Sequence, residues 1–242
     1  NINDASRRWT ADIRWRGEMY SHIPTEILRL MNGPAPNKSE LILGNKKITF
    51  FNHHECHAAS AFFTSPFKNA DILTIDGHGE KETCFFGYGK NKNITQIKSI
   101  DYPHSLGLFY GTFTDFLGYK ADSDEWKVMA LSSFSSKKNI YDKYIKKLIL
   151  KTKGGFELNL SYFDYYTFDR RKNFFSKKFI ELFGQPRKAN SKILKKHYEI
   201  AGALQRKFEE IASHLLRLTK KFGKNSGNIV LAGGAAMNCV FN

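Results

Sequence analysis

The chain has 242 residues, 41% hydrophobic and 14% aromatic, enough to bury the core of one large domain or two small ones. No apolar run is long enough to span a bilayer, and three scattered cysteines (Cys56, Cys84, Cys239) make neither a disulfide framework nor a zinc ribbon, so a reducing, cytoplasmic setting is expected. The formal net charge of +15 raises nucleic acid or anionic phosphate ligands as partners.

In chain order, residues 19–31 are expected to form a helix ended by Asn32-Gly33-Pro34, and 47–51 a strand. Three histidines then fall within five residues, His53-His54-Glu55-Cys56-His57. His53 and His57 are four apart, which on a helix places both imidazoles on one face, within reach of one cation. His54 is expected elsewhere on that helix as a hydrogen-bonding or surface residue, and Cys56 as a small buried hydrophobe. The small apolar run from Ala58 to Phe63 reads as a buried helix, and Ala70 to Ile75 as a short buried strand. Asp76-Gly77-His78-Gly79-Glu80 follows at its carboxyl end, where open α/β sheets keep their ligands. This predicts a metal held by His53, His57 and Asp76. Imidazole with carboxylate and no thiolate suits iron, zinc or manganese.

Beyond Asp76, residues 83–88 and 94–100 read as a hairpin with its tip at Lys90-Asn91-Lys92-Asn93. A helix follows through Phe116, closed by Gly118, and a second runs from the acidic cap Asp122-Ser123-Asp124-Glu125 to Leu131. Residues 137–196 are basic, aromatic and irregular, and are expected to be an inserted helical segment with peripheral contacts. Residues 197–222 form the clearest helix, with Ala201, Leu204, Phe208, Ile211 and Leu215 on its buried face. A strand over 228–232 then meets Gly233-Gly234 and an expected helix starting at Ala235. Two glycines let a backbone approach a ligand closely, and a helix N-terminus offers N–H groups to an anion. Actin-like kinases and ATPases grip nucleotide between two such loops. The lysines are spread along the chain as solvated faces, and only Tyr162 to Phe175, with Arg170-Arg171-Lys172, offers a stretch for a basic binding module.

The ordered series His53-His54-x-x-His57-Ala58-Ala59-Ser60-Ala61, Thr74-Ile75-Asp76-Gly77-x-Gly79-Glu80, Tyr102-Pro103-x-Ser105-Leu106-Gly107, Asp124-Glu125-x-Lys127-Val128-Met129, Ala201-x-Ala203-Leu204-Gln205 and Leu231-Ala232-Gly233-Gly234-Ala235-Ala236-Met237-Asn238-Cys239 resembles the O-carbamoyltransferases of the NodU/CmcH type. The match covers about residues 45–135 and 197–242. The resemblance implies an α/β, actin/sugar-kinase-like (ASKHA) fold with a mixed sheet and a helical insertion. It implies ATP and carbamoyl phosphate as substrates, a carbamoyl adenylate made in a separate C-terminal domain, and transfer of the carbamoyl group to a small-molecule hydroxyl acceptor. Carried across, His53, His57 and Asp76 hold a divalent metal, iron foremost. Gly77, Gly79, Gly233 and Gly234 form phosphate-facing loops, Asn238 contacts nucleotide or substrate, and Glu125 and Lys127 line or brace the catalytic site. A homodimer is compatible with this reading, and membrane or nucleic-acid partners are not expected. The family's early hairpin, a further metal-binding aspartate and the activating domain are not found in the 242 residues, so the chain is expected to be a fragment, inactive alone. The alternatives are an actin-like ATPase or kinase, and a non-catalytic basic binding module.

Overall fold

The computed structural model describes residues 40–43, 46–49, 51–167 and 173–242. The helix expected over 19–31 and the Arg170-Arg171-Lys172 run lie outside them. Two short strands, β1 (Glu40–Leu43) and β2 (Lys46–Thr49), pair as an antiparallel hairpin. The histidine helix α1 (His53–Phe63) follows. Next come β3 (Asn69–Ile75), β4 (Glu82–Lys90) and β5 (Asn93–Asp101). The chain continues through α2 (Leu106–Phe116), α3 (Glu125–Ser132), α4 (Tyr141–Ile145), a hairpin of β6 (Ile149–Thr152) and β7 (Gly155–Leu158), and α5 (Lys177–Phe183). The long α6 (Lys195–Phe222) leads into β8 (Ile229–Ala232).

The central sheet has the order β5-β4-β3-β8, with β3 antiparallel to β4 and parallel to β8. Strand alternation sends β3 side chains to two different cores. Ala70 and Ile72 join Ala58 and Phe62 of α1 on one face; Leu73 and Ile75 join α2 and α6 on the other. The sheet is therefore covered on both faces, which explains why β3 is buried from Ala70 to Ile75. The α6 stripe predicted from Ala201 to Leu215 is buried throughout.

Three expectations are corrected. Residues 137–196 are not simply helical: they contain the β6–β7 hairpin between two short helices. Nor are they peripheral, since the rings of Phe179 and Phe183 pack edge-on or tilted against Phe113 and Phe116 of α2 inside the larger core. The segment after Gly234 is not an α-helix but a single 3-10 turn over Ala235–Met237. The Asn238 side chain accepts from the backbone N–H groups of Val240 and Phe241, which turns the chain away from helical pairing. The acidic run before α3 does not cap it with a side-chain bond: the Asp124 carboxylate accepts from Lys120 N–H and pairs with Lys127 instead.

Candidate metal centre

Helix α1 is pinned at its first turn by two acceptors. Asn52 Oδ1 accepts from the N–H groups of His54 and Glu55, and the Glu80 carboxylate accepts from His53 N–H at 3.0 Å. Asn52 caps unpaired N–H groups and the Glu80 carboxylate adds negative charge at the helix N-terminus, where it is favoured. Glu80 belongs to the loop after β3, so this bond ties the histidine helix to the strand end that carries Asp76.

His53 and His57 point from one face of α1 at the same atom. Asp76 Oδ2 lies 2.9 Å from His53 Nε2 and 2.7 Å from His57 Nε2, and the two imidazole nitrogens are 3.0 Å apart. The other Asp76 oxygen accepts from Gly77 N–H at 2.7 Å, which turns Oδ2 toward the histidines. Burial alone would raise the Asp76 carboxyl, but the bonds from His53, His57 and Gly77 outweigh it and hold it well below the usual carboxylate range. The hydrogen bond to Asp76 likewise raises His53 against the opposing effect of burial. Among the described residues, His53, His57 and Asp76 are the group whose ligand atoms, one each, all lie within 4.8 Å of one another. Two imidazoles and one carboxylate, none of them fully buried, form a donor set that could hold an iron-, zinc- or manganese-type ion.

His54 faces the opposite way. It is fully buried, and burial, then the neighbouring His53, pushes its imidazole down to about 4. Its Nε2–H donates to the Glu82 carbonyl at 3.0 Å, so Nδ1 accepts from the Thr74 hydroxyl. It locks α1 to β3 and β4 and has no place among the ligands. Cys56 is exposed, not the buried hydrophobe expected.

A cavity of about 260 Å³ opens beside Asp76. Gly77, Glu125, Gly234 and Asn238, all singled out from the sequence, line it, together with Tyr110, Asp122, Met129 and Phe208, among others. Glu125 accepts from Asp122 N–H at 2.9 Å, and burial raises its carboxyl. Lys127 stands apart. Two residues on along α3 it faces another way, pairing with Asp124 at 2.9 Å beside a separate groove of about 810 Å³. Gly79 and Gly233 do not line the cavity. A Cβ on Gly79 would lie 2.9 Å from His54 Cδ2, so this glycine lets the loop reach α1. Gly233, at φ +95°, would bring a Cβ to 2.3 Å from the Ile75 carbonyl, so it lets the end of β8 press against β3. Asn238 turns its amide inward to Gln205.

Sequence reasoning missed Glu80 as the clamp on α1, Asp122 on the cavity wall, and Ser105. The Ser105 hydroxyl donates to Gly77 O at 2.6 Å and accepts from Leu108 N–H, so it joins the Asp76 loop to the start of α2. Its signal was present, as Ser at the N-cap of a predicted helix.

Residues 17–242 match the family described as Carbamoyltransferase N-terminus. An uncharacterized protein of Synechocystis is 40% identical over 199 residues, covering 81% of this chain and 31% of that protein. Nodulation protein NolO of Bradyrhizobium diazoefficiens is 30% identical over 191 residues, covering 79% and 32%. Nodulation protein NolNO of Sinorhizobium fredii is 28% identical over 225 residues, covering 93% and 31%. The chain thus aligns with about a third of the length of these relatives. With His53, His57 and Asp76 converging beside a cavity and nearly the whole chain matched, the protein belongs to the carbamoyltransferase N-terminal family.

Proposed function

We propose that this chain is the metal-binding part of an enzyme that moves a carbamoyl group from carbamoyl phosphate, by way of an ATP-derived carbamoyl adenylate, to a hydroxyl of a small biosynthetic acceptor. The single observation that carries the reading is the convergence of His53, His57 and Asp76 next to a cavity that also holds Glu125. The antiparallel β5-β4-β3 run joined to parallel β8 supports the ASKHA fold that the resemblance implies. No helix among the described residues is long and apolar enough to cross a membrane.

His53, His57 and Asp76 would hold the ion, iron foremost, with zinc or manganese as alternatives. Once bound, the ion supplies Lewis acidity toward a carbonyl or phosphoryl oxygen. The chain's own residues account for the rest. Gly77 and Gly234 keep side chains off the cavity wall, so substrate can approach the backbone. The half-buried Glu125 carboxyl, raised above its ordinary value by that burial, accepts the proton of the acceptor hydroxyl. The hydroxyl oxygen bonds to the carbamoyl carbon, the mixed-anhydride C–O bond breaks, and AMP leaves with its electron pair. Among the described residues lining the cavity none is Lys or Arg, which sets this lining apart from a basic binding module despite the net charge.

The test uses the natural polypeptide that carries this chain, with ATP, labelled carbamoyl phosphate and a panel of hydroxylated acceptors. The expected result is ATP-dependent label on an acceptor oxygen with release of AMP. Asp76→Asn should cut transfer at least ~100-fold, the scale of losing a ligand or its support. ADP release with phosphorylated acceptor would replace this reading by the actin-like kinase.

A further inference from the structure

Gln205 lies on the buried face of α6, in the stripe formed by Ala201, Leu204 and Phe208, and is 4% exposed. It does not line the cavity. Its amide nitrogen donates to Asn238 Oδ1 at 2.9 Å and to Glu209 Oε1 at 3.0 Å. Its oxygen accepts from Asn238 Nδ2 and from the Tyr110 hydroxyl, both at 3.0 Å. Two donors and two acceptors are the full capacity of a primary amide.

The polarity of the pair is set from outside it. Asn238 Oδ1 also accepts from Val240 N–H at 3.2 Å and Phe241 N–H at 3.1 Å, a task only oxygen can perform. Asn238 must therefore turn its nitrogen to Gln205 Oε1, and Gln205 its nitrogen to Asn238 Oδ1. Tyr110 then has only an acceptor left to meet and donates to it. Glutamate lacks both donors, and leucine lacks all four groups. A buried amide in an apolar stripe costs free energy unless every group is bonded, and a saturated network fixes geometry.

Two of these partners sit on different walls of the cavity: Tyr110 on α2, and Asn238 on the turn after Gly234. We infer that Gln205 is a positioning residue that holds these two walls at a fixed spacing and so sets the shape of the substrate cavity beside Asp76. The kinetic part of this assignment rests on the carbamoyl-transfer reading; the structural part does not.

The experiment compares Gln205→Glu and Gln205→Leu with wild type in the natural polypeptide. It reads amide hydrogen exchange at Val240 and Phe241, metal content, and kcat/KM for carbamoyl transfer. Gln205→Glu keeps the side-chain size and two acceptors, so it guards against a leucine variant that fails to fold. Exchange at Val240 and Phe241 should rise ~10-fold in Gln205→Glu and ~30-fold in Gln205→Leu, while amides in the middle of α6 keep their rates. Metal content should stay at the wild-type level, and kcat/KM should fall by similar factors. Unchanged exchange at both amides, or an equal rise along the whole of α6, overturns the assignment, as does wild-type kcat/KM in both variants. A wild type that transfers no carbamoyl group overturns the functional reading instead, and the exchange measurement then decides the role of Gln205.

Discussion

Helix α6 begins with an unusual cap, and its chemistry predicts a pH dependence. Leu194 occupies the N-cap, and its N–H donates to His197 Nδ1 at 2.9 Å. This is half of a capping box, with an imidazole where Glu or Gln is customary. Protonating Nδ1 would replace that acceptor by a second donor and put positive charge at a helix N-terminus. The His197 residue is 3% exposed, and burial, then Lys196 and Arg187, pushes its imidazole down to about 4. Between about 4 and the unfolded value of about 6.5, the unfolded chain binds a proton that the folded chain refuses. The contribution is therefore fully present above pH ~6.5 and is lost as pH falls toward ~4. Going from pH 7.5 to 4.5, this one group should remove about 2.5 kcal/mol. His197→Gln restores the customary box without a titrating group. Urea unfolding of wild type and His197→Gln at both pH values gives a double difference in which other titrating groups cancel. Wild type should lose about 2.5 kcal/mol more than His197→Gln on acidification. Equal losses in the two proteins would refute the reasoning.

Three further outcomes follow from the geometry. Asp71, 1% exposed, accepts from Lys224 N–H at 2.9 Å and Ser226 N–H at 3.1 Å and so ties the end of α6 to β3. Asp71→Asn sets an NH2 against one of those N–H groups and should cost ~2–3 kcal/mol in chemical denaturation. Gly79→Ala places a Cβ against His54 and should push the Asp76 loop away from α1, weakening zinc binding ~10-fold in a competition titration. Gly233→Ala combines positive φ with a clash against Ile75 O and should lower the unfolding free energy by ~2 kcal/mol or more.

Much of the site could be read from the sequence because its signals are local. The four-residue spacing of His53 and His57, the apolar run into Asp76 and the stripe along α6 each survive in the structure, since each follows from the period of one element. The failures occur where a distant partner decides. Ala235-Ala236-Met237 has helical propensity, but the Asn238 side chain claims the N–H groups of Val240 and Phe241, and Gln205 holds it there. Phe175, Phe179 and Phe183 sit in a segment of irregular composition, yet α2 supplies the aromatic faces that bury them. Glu125 and Lys127 are neighbours in one motif, but two residues along a helix carry them to different cavities. Gln205 did leave a trace, as a polar residue beside the buried positions Ala201, Leu204 and Phe208.

His53, His57 and Asp76 form the proposed metal centre. Its most direct test is ion content and equilibrium titration with Fe2+ or Zn2+, for protein prepared aerobically and anaerobically. Wild type should bind about one ion per chain, and His57→Ala, which leaves Asp76 and His53 in place, should lose most of it. Wild type that binds no ion under either preparation, or a His57→Ala protein with undiminished affinity, would contradict the assignment and leave the three residues as a hydrogen-bonded cluster joining α1 to β3.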